Sequence, residues 1–256
     1  MVINIPLEYC PENKWIFLNE LRGVEEQMVS GSRSIDAIML LDACIGSVVE
    51  SDFVVSKSAS LTIPDREAVL TALYENTYGP KVETTVQCRE CKQPFDIDFI
   101  LSDLISSLKP NEANAGKEAN GFYVFTTNNG ISFRMCTGDD ELAVMGMKPK
   151  QAEEVIISRC LIKGDRKKAR KEIPKAMSQL APLIDVDIDT ICPDCETGQK
   201  FHFNLQSYLL NSIIRDKKLL TFEVHRLAVH YGWGLNEILQ LPRSIRHNFL
   251  SILETG

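Results

Sequence analysis

The sequence predicts an α+β fold organised around a split, zinc-ribbon-like pair of β-hairpins. Three observations carry that prediction. The chain has 256 residues, 44% hydrophobic and 25% charged, which is ordinary globular composition with enough length to bury a real core. Two distant segments repeat one pattern: an alternating strand, a Cys-x-x-Cys, a few polar residues, a second alternating strand and then a helix. The C-terminal third reads as helical.

The elements follow in order. Trp15, Ile16, Phe17 and Leu18 form a short apolar run that reads as a strand. Ile35, Ile38, Met39, Leu41, Asp42 and Ile45 keep helical spacing, with Ser34 as the expected cap. Residues 51–60 read as a strand end plus loop. A helix opens at Leu61-Thr62-Ile63-Pro64-Asp65-Arg66-Glu67. Thr62 can cap it, Pro64 suits its first turn, and Asp65 and Glu67 favour its positive end. Leu70, Leu73 and Tyr74 form its inward stripe, and Gly79-Pro80 stops it.

Val82 to Gln87 alternate as a strand before Cys88 and Cys91, and Phe95, Ile97 and Phe99 alternate after them. A short helix is expected over 101–108 and a polar loop over 110–120. Phe122–Phe125 and Ile131–Met135 flank Asn128-Asn129-Gly130, a hairpin signal. Thr137 with Asp140 can cap a helix over 139–147, and another is expected over 150–162. Residues 163–175 are strongly basic, and a helix over 174–181 follows. Val186 to Ile191 alternate before Cys192 and Cys195, and Phe201, Phe203 and Leu205 alternate after them. A long helical stretch ends at Gly232-Trp233-Gly234, a short helix carries Leu235, Ile238 and Leu239, and Pro242 begins the last helix.

The N-terminus carries no signal-peptide pattern, and no run approaches the roughly 18–20 apolar residues of a membrane span. A reducing cytoplasm is therefore expected, where paired cysteines point to metal or redox work rather than to disulfides. Net charge is −7, so the whole chain is not a general nucleic-acid binder.

Cys88, Cys91, Cys192 and Cys195 can supply the four soft ligands of one tetrahedral zinc ion. The residues between Cys91 and Cys192 then form an excursion that leaves and returns, and the metal would contribute folding free energy by tying distant segments together. Lys92 and Glu196 stand where zinc knuckles commonly place a glycine. The competing readings are two hairpins with small buried cysteines, and a thioredoxin-like redox motif. The second is disfavoured because neither Cys-x-x-Cys opens a helix.

Other groups carry less. Asp185, Asp187, Asp189 and Glu196 fall at calcium-loop positions, but Thr190 replaces the required glycine and a strand explains Val186 and Ile188 better. His202, His225, His230 and His247 read as surface or capping residues. Cys10, Cys44, Cys136 and Cys160 read as packing. Lys163, Arg166, Lys167, Lys168, Arg170 and Lys171 read as a solvated face or a docking patch for an acidic partner. No nucleophile elbow, phosphate loop or dinucleotide fingerprint appears.

The stretch from Leu219 through Tyr231-Gly232-Trp233 and Glu237-Ile238-Leu239 to Pro242-Arg243 resembles a recurrent pattern of the baseplate hub family of T-even-like phages. The order of the two Cys-x-x-Cys pairs, Leu61–Glu67 and Phe133–Asp140 fits the same pattern, so the resemblance covers roughly residues 61–254. It implies a non-enzymatic baseplate hub component or hub-assembly chaperone of a contractile tail or related injection system. Other hub or spike proteins would be its partners, with no membrane and with nucleic acid disfavoured. Tyr231, Trp233 and Arg243 are the candidate partner-binding residues. The expected location is the host cytoplasm during assembly, or the virion baseplate. A zinc-ribbon nucleic-acid-binding regulator is the alternative. A metal or cysteine enzyme is disfavoured, because a closed four-thiolate site leaves no open coordination position. The expected organisation is an N-terminal mixed segment (1–60), a zinc-ribbon core with C-terminal helices (61–110 plus 181–256), and an inserted hairpin with helices (111–180).

Overall fold

A computed structural model describes residues 2–10, 15–45, 57–108, 116–119 and 122–255. Most of the loop expected over 51–60 and of the polar loop expected over 110–120 lies outside them. The fold is α+β: helices with small antiparallel sheets.

At the N-terminal end, β1 (Val2–Pro6) pairs antiparallel with β2 (Trp15–Asn19). Next come α1 (Gly23–Met28) and α2 (Ser34–Cys44). Ser34 is not the cap of α2. Arg33 holds that position, its N–H donating to Asp36 Oδ2 at 3.0 Å, while the Ser34 hydroxyl donates to Glu141. α3 (Ile63–Tyr78) starts as its sequence requires, with the Thr62 hydroxyl accepting from the Asp65 N–H. It stops at Gly79, whose φ of 88° suits a residue without a Cβ.

Two long hairpins follow the same plan. β3 (Lys81–Gln87) pairs with β4 (Pro94–Ile100), and α4 (Leu101–Ser107) leaves it. Far along the chain β9 (Asp185–Ile191) pairs with β10 (Gly198–Asn204), and α8 (Leu205–Tyr231) leaves it. Leu205, read as strand, is the first residue of that helix, because Asn204 caps it by accepting from the Ser207 N–H.

Between the hairpins lies a four-stranded antiparallel sheet ordered β5 (Lys117–Ala119), β6 (Phe122–Thr126), β7 (Ser132–Arg134), β8 (Leu161–Lys163). The Asn-Asn-Gly turn joins β6 to β7 as expected. β5 and β8 are three-residue edge strands that periodicity did not reveal. The helix capped by Thr137 and Asp140, α5 (Gly138–Ala143), is shorter than expected. α6 (Pro149–Cys160) covers most of the range expected over 150–162 and gives way at Leu161 to β8. α7 (Arg166–Leu180) takes in the basic run from Arg166 onward, correcting the expected start at 174, while Lys163 ends β8. Asp165 caps it at Lys168 N–H, and buried Ala169 and Ile173 set the inward face. Pro174 is tolerated inside this exposed helix, although it removes one backbone donor.

The main core joins Ile16 and Leu18 of β2, Leu40 and Leu41 of α2, Leu70 and Leu73 of α3, and Leu209, Leu210 and Ile213 of α8. A second core under the four-stranded sheet holds Phe125, Phe133, Ile157, Ala169 and Ile173. α8 runs on to Gly232, whose left-handed φ of 70° ends it, and packs with α9 (Leu235–Gln240) and α10 (Arg243–Thr255). Among the described residues no helix is long and apolar enough to cross a membrane.

Candidate metal centre

Each hairpin turns through a Cys-x-x-Cys. Cys88 N–H donates to the Gln93 carbonyl at 2.9 Å, and Cys192 N–H donates to the Thr197 carbonyl at 3.0 Å. These equivalent bonds fold each turn so that both of its thiols project the same way. The residue after the second cysteine then needs a left-handed backbone. Lys92 has φ 62° and Glu196 φ 58°, the two positive values among described non-glycine residues. The geometry that glycine usually supplies is therefore present without glycine, at a conformational cost.

The hairpins meet through their apolar faces. Phe99 of β4 packs edge-on to Phe203 of β10 at 5.1 Å. Cys88, Phe95 and Cys192 are buried together, with Val86 and Ile97 against them. Gln199 Oε1 accepts from Arg89 N–H at 2.8 Å, joining one turn to the other hairpin.

The four sulfurs all lie within 4.8 Å of one another. Cys88 Sγ is 3.5 Å from Cys195 Sγ, and Cys91 Sγ is 3.7 Å from Cys192 Sγ, so each close contact spans the two hairpins. A tetrahedral ion with zinc–sulfur bonds of about 2.3 Å separates its ligands by about 3.8 Å. The donor set and these spacings fit such an ion. Hydrogen bonds from the Thr197 hydroxyl and backbone pull the Cys195 thiol down to about 6. A thiolate is favoured at that corner, whereas the Cys91 thiol is pushed up to about 12, its backbone hydrogen bond to Gln93 outweighed by burial and the other three thiols together.

Other candidates fall elsewhere. Tyr231 and Trp233 stack at 4.8 Å, and both meet Phe249 on α10, in a small core with Leu227, Ile238 and Leu250. Arg243 is 9% exposed. It donates to Asp216 at 2.7 Å and to Glu26 at 3.4 Å, and its guanidinium lies 4.9 Å from the Tyr78 ring centre. Arg246 beside it is fully buried, donating to Glu223 at 3.0 Å and to Glu26 at 2.5 Å. Sequence reading missed this network. A signal existed: Glu223 shares helical spacing with buried Leu220 and Leu227, so a charge sits on the apolar face.

His202 lies exposed between Asp185 and Asp187 at 3.0 and 3.1 Å, and those aspartates stand on a strand rather than in a calcium loop. The basic residues Arg166, Lys167, Lys168, Arg170 and Lys171 line the exposed face of α7. Cys136 and Cys160 were expected only to pack. The structure brings their sulfurs and an Asp140 oxygen within 4.8 Å of one another. Nothing in their sequence spacing announced it.

The fold and the site define an α+β protein in which two distant hairpins bring four thiols to one point. The particular family is shown by comparison. Residues 31–163, just over half of the chain, match the model of the T4 bacteriophage base plate protein family, and the chain belongs to that family as a structural protein of the phage base plate. The match includes Cys88 and Cys91, and ends before Cys192 and the C-terminal helices. No curated protein and no solved structure matches the chain.

Proposed function

We propose that the chain is a non-enzymatic baseplate hub component or hub-assembly chaperone of a contractile phage tail or related injection system, stabilised by one structural zinc ion. The observation that carries the zinc reading is the convergence of Cys88, Cys91, Cys192 and Cys195 from two hairpins far apart in sequence. Four thiolates would fill a tetrahedral ion and leave no place for substrate or water, which suits a structural site. Family membership supports a baseplate role, and the ordered motifs through Trp233 and Pro242 support the hub in particular.

The partner surface centres on Tyr231 and Trp233, next to exposed Val229 and Leu235. Arg243 contributes from inside, by fixing the start of α10 against α1 and α8, rather than by touching the partner. The protein would work in the host cytoplasm during assembly, or remain in the virion baseplate.

Co-expression with hub and spike proteins tests the role. A stable complex that Trp233→Ala weakens is expected, and failure to form any complex under every order of mixing would overturn it. Elemental analysis tests the metal: one zinc per chain is expected, lost in Cys88→Ser and Cys192→Ser. The exposed basic face of α7 favours the second reading, a zinc-ribbon nucleic-acid-binding regulator. It requires binding that falls steeply with salt, and undetectable binding at low salt removes it.

A further inference from the structure

Cys136 lies two residues past the end of β7, and its carbonyl accepts the Ile63 N–H at 2.9 Å, which pins that residue to the start of α3. Cys160 is the last residue of α6. Two separate elements thus deliver two thiols to one buried point, with Asp140 of α5 beside them.

Three such groups resemble half a metal site, but the carboxylate is already engaged. Asp140 Oδ2 accepts from Arg134 Nη1 at 2.6 Å, from the Thr137 N–H at 3.0 Å and from the Thr137 hydroxyl at 3.1 Å. Asp140 Oδ1 accepts from Arg134 Nη2 at 2.9 Å and from Arg159 Nε at 2.7 Å. No lone pair is left for a cation, and two guanidinium groups repel one. What remains is a pair of thiols packed against a salt-bridged carboxylate and close to each other. The Cys160 thiol lies below its ordinary value, first through its hydrogen bond with Cys136, with Arg134 and Arg159 acting against burial and Asp140, while the Cys136 thiol is pushed up by that same bond and by burial.

The pair is also reachable. Cys160 is fully buried, but Cys136 lines an apolar cleft of about 480 Å³ together with Ile63, Leu108, Met135, Pro174 and Met177. A molecule as small as hydrogen peroxide fits the cleft that Cys136 lines.

We propose that Cys136 and Cys160 form a peroxide-reactive dithiol that closes to a disulfide between β7 and α6. One thiolate attacks the peroxide, an S–O bond forms, the O–O bond breaks, and the departing hydroxide takes a proton to leave as water. The second thiol then attacks that sulfenic sulfur, loses its proton, and displaces the oxygen as a second water. The two sulfurs together lose two electrons and the two peroxide oxygens gain them. The bond ties the four-stranded sheet to the helix beneath it.

The test uses the full chain, zinc-loaded, with graded hydrogen peroxide, followed by alkylation, digestion and mass spectrometry. Exposed Met39 and Met145 serve as internal dose markers, since they oxidise without any special chemistry. The expected product is a peptide pair joined through Cys136 and Cys160, lighter by two hydrogens, formed before Met39 and Met145 are converted and reversed by dithiothreitol. The thermal midpoint should rise on oxidation. Cys136 and Cys160 staying reduced while both methionines are sulfoxides would overturn the proposal. So would overoxidation of Cys136 alone, or its pairing with a cysteine of either hairpin. Because the readout is on the unmodified chain, a poorly folding Cys160→Ala variant would not blunt it.

Discussion

Lys92 and Glu196 show how a motif survives a missing residue. Each adopts the left-handed turn that follows the second cysteine of a knuckle, with φ of 62° and 58°. Glycine at either position should relieve roughly 1–2 kcal/mol of strain, partly offset by the freer unfolded chain. Lys92→Gly and Glu196→Gly should therefore each raise the unfolding midpoint of the zinc-loaded protein, by up to about 1 kcal/mol in stability. A clear destabilisation by both would show that the side chains matter more than the turn. The cysteine pairs were legible because ligand chemistry fixes their spacing. Cys136, Asp140 and Cys160 were not, because what joins them is the packing of three separate elements.

Glu67 carries a pH prediction at the same scale. Its carboxylate accepts the Ile184 N–H at 2.8 Å, and burial, first among the causes, pushes it up to about 7 from 4.5. The folded chain therefore holds this proton more tightly than the unfolded one. Its contribution to stability is intact at acid pH and is lost as pH rises from about 4.5 to about 7. Glu67→Gln keeps an acceptor and removes the titration. The variant should gain more thermal stability over the parent at pH 8 than at pH 5. An equal shift at both would show that the charge is not the cause.

Among elements, helices with caps and stripes were read well, and short edge strands were not. α3 combines a Thr cap, a proline in the first turn and a glycine stop, so its sequence is consistent at every position. β5 and β8 have three residues each and exist because β6 and β7 offer them edges to pair with. α7 misled because its charges hid a sparse inward stripe of Ala169 and Ile173. An ion network buried among α1, α8 and α10 joins Glu26, Glu223, Arg243 and Arg246. Burial pushes Glu26 up even though Arg246 and Arg243 draw it down. Arg246→Met leaves Glu26 and Glu223 without their shared buried partner, and should cost about 3–5 kcal/mol by denaturant unfolding. Adding Glu26→Gln and Glu223→Gln should recover much of that loss. Failure to recover would place the role of Arg246 in packing alone.

At the scale of the molecule, α+β was legible from the repeated hairpin pattern, and the shared main core was not. β1, with no pattern marking it as a strand, pairs with β2, whose Ile16 and Leu18 share that core with Leu70 of α3 and Leu209 of α8. Long-range burial of this kind leaves no local periodicity to read. The thiol ends of the hairpins pack in a small cluster of their own around Phe95, whereas their other ends join the main core through Val82, Ile184 and Phe203. Removal of zinc should therefore loosen the hairpins first. Chelation should speed hydrogen exchange over 82–100 and 185–204 before it does so in α3 and α8, and lower the thermal midpoint. A zinc-containing preparation whose exchange is unchanged by complete chelation would remove the metal from the folding account.

The separation of the two cysteine pairs also sets an order in time. Cys88 and Cys91 leave the ribosome about a hundred residues ahead of Cys192 and Cys195. At roughly 5–20 residues per second, that interval lasts from about five to twenty seconds. Through it the first hairpin would hold two of the four proposed ligands, open to any soft ion or stray thiol nearby. Completion of the proposed zinc centre would then come late in synthesis, after every residue between the two knuckles has been made.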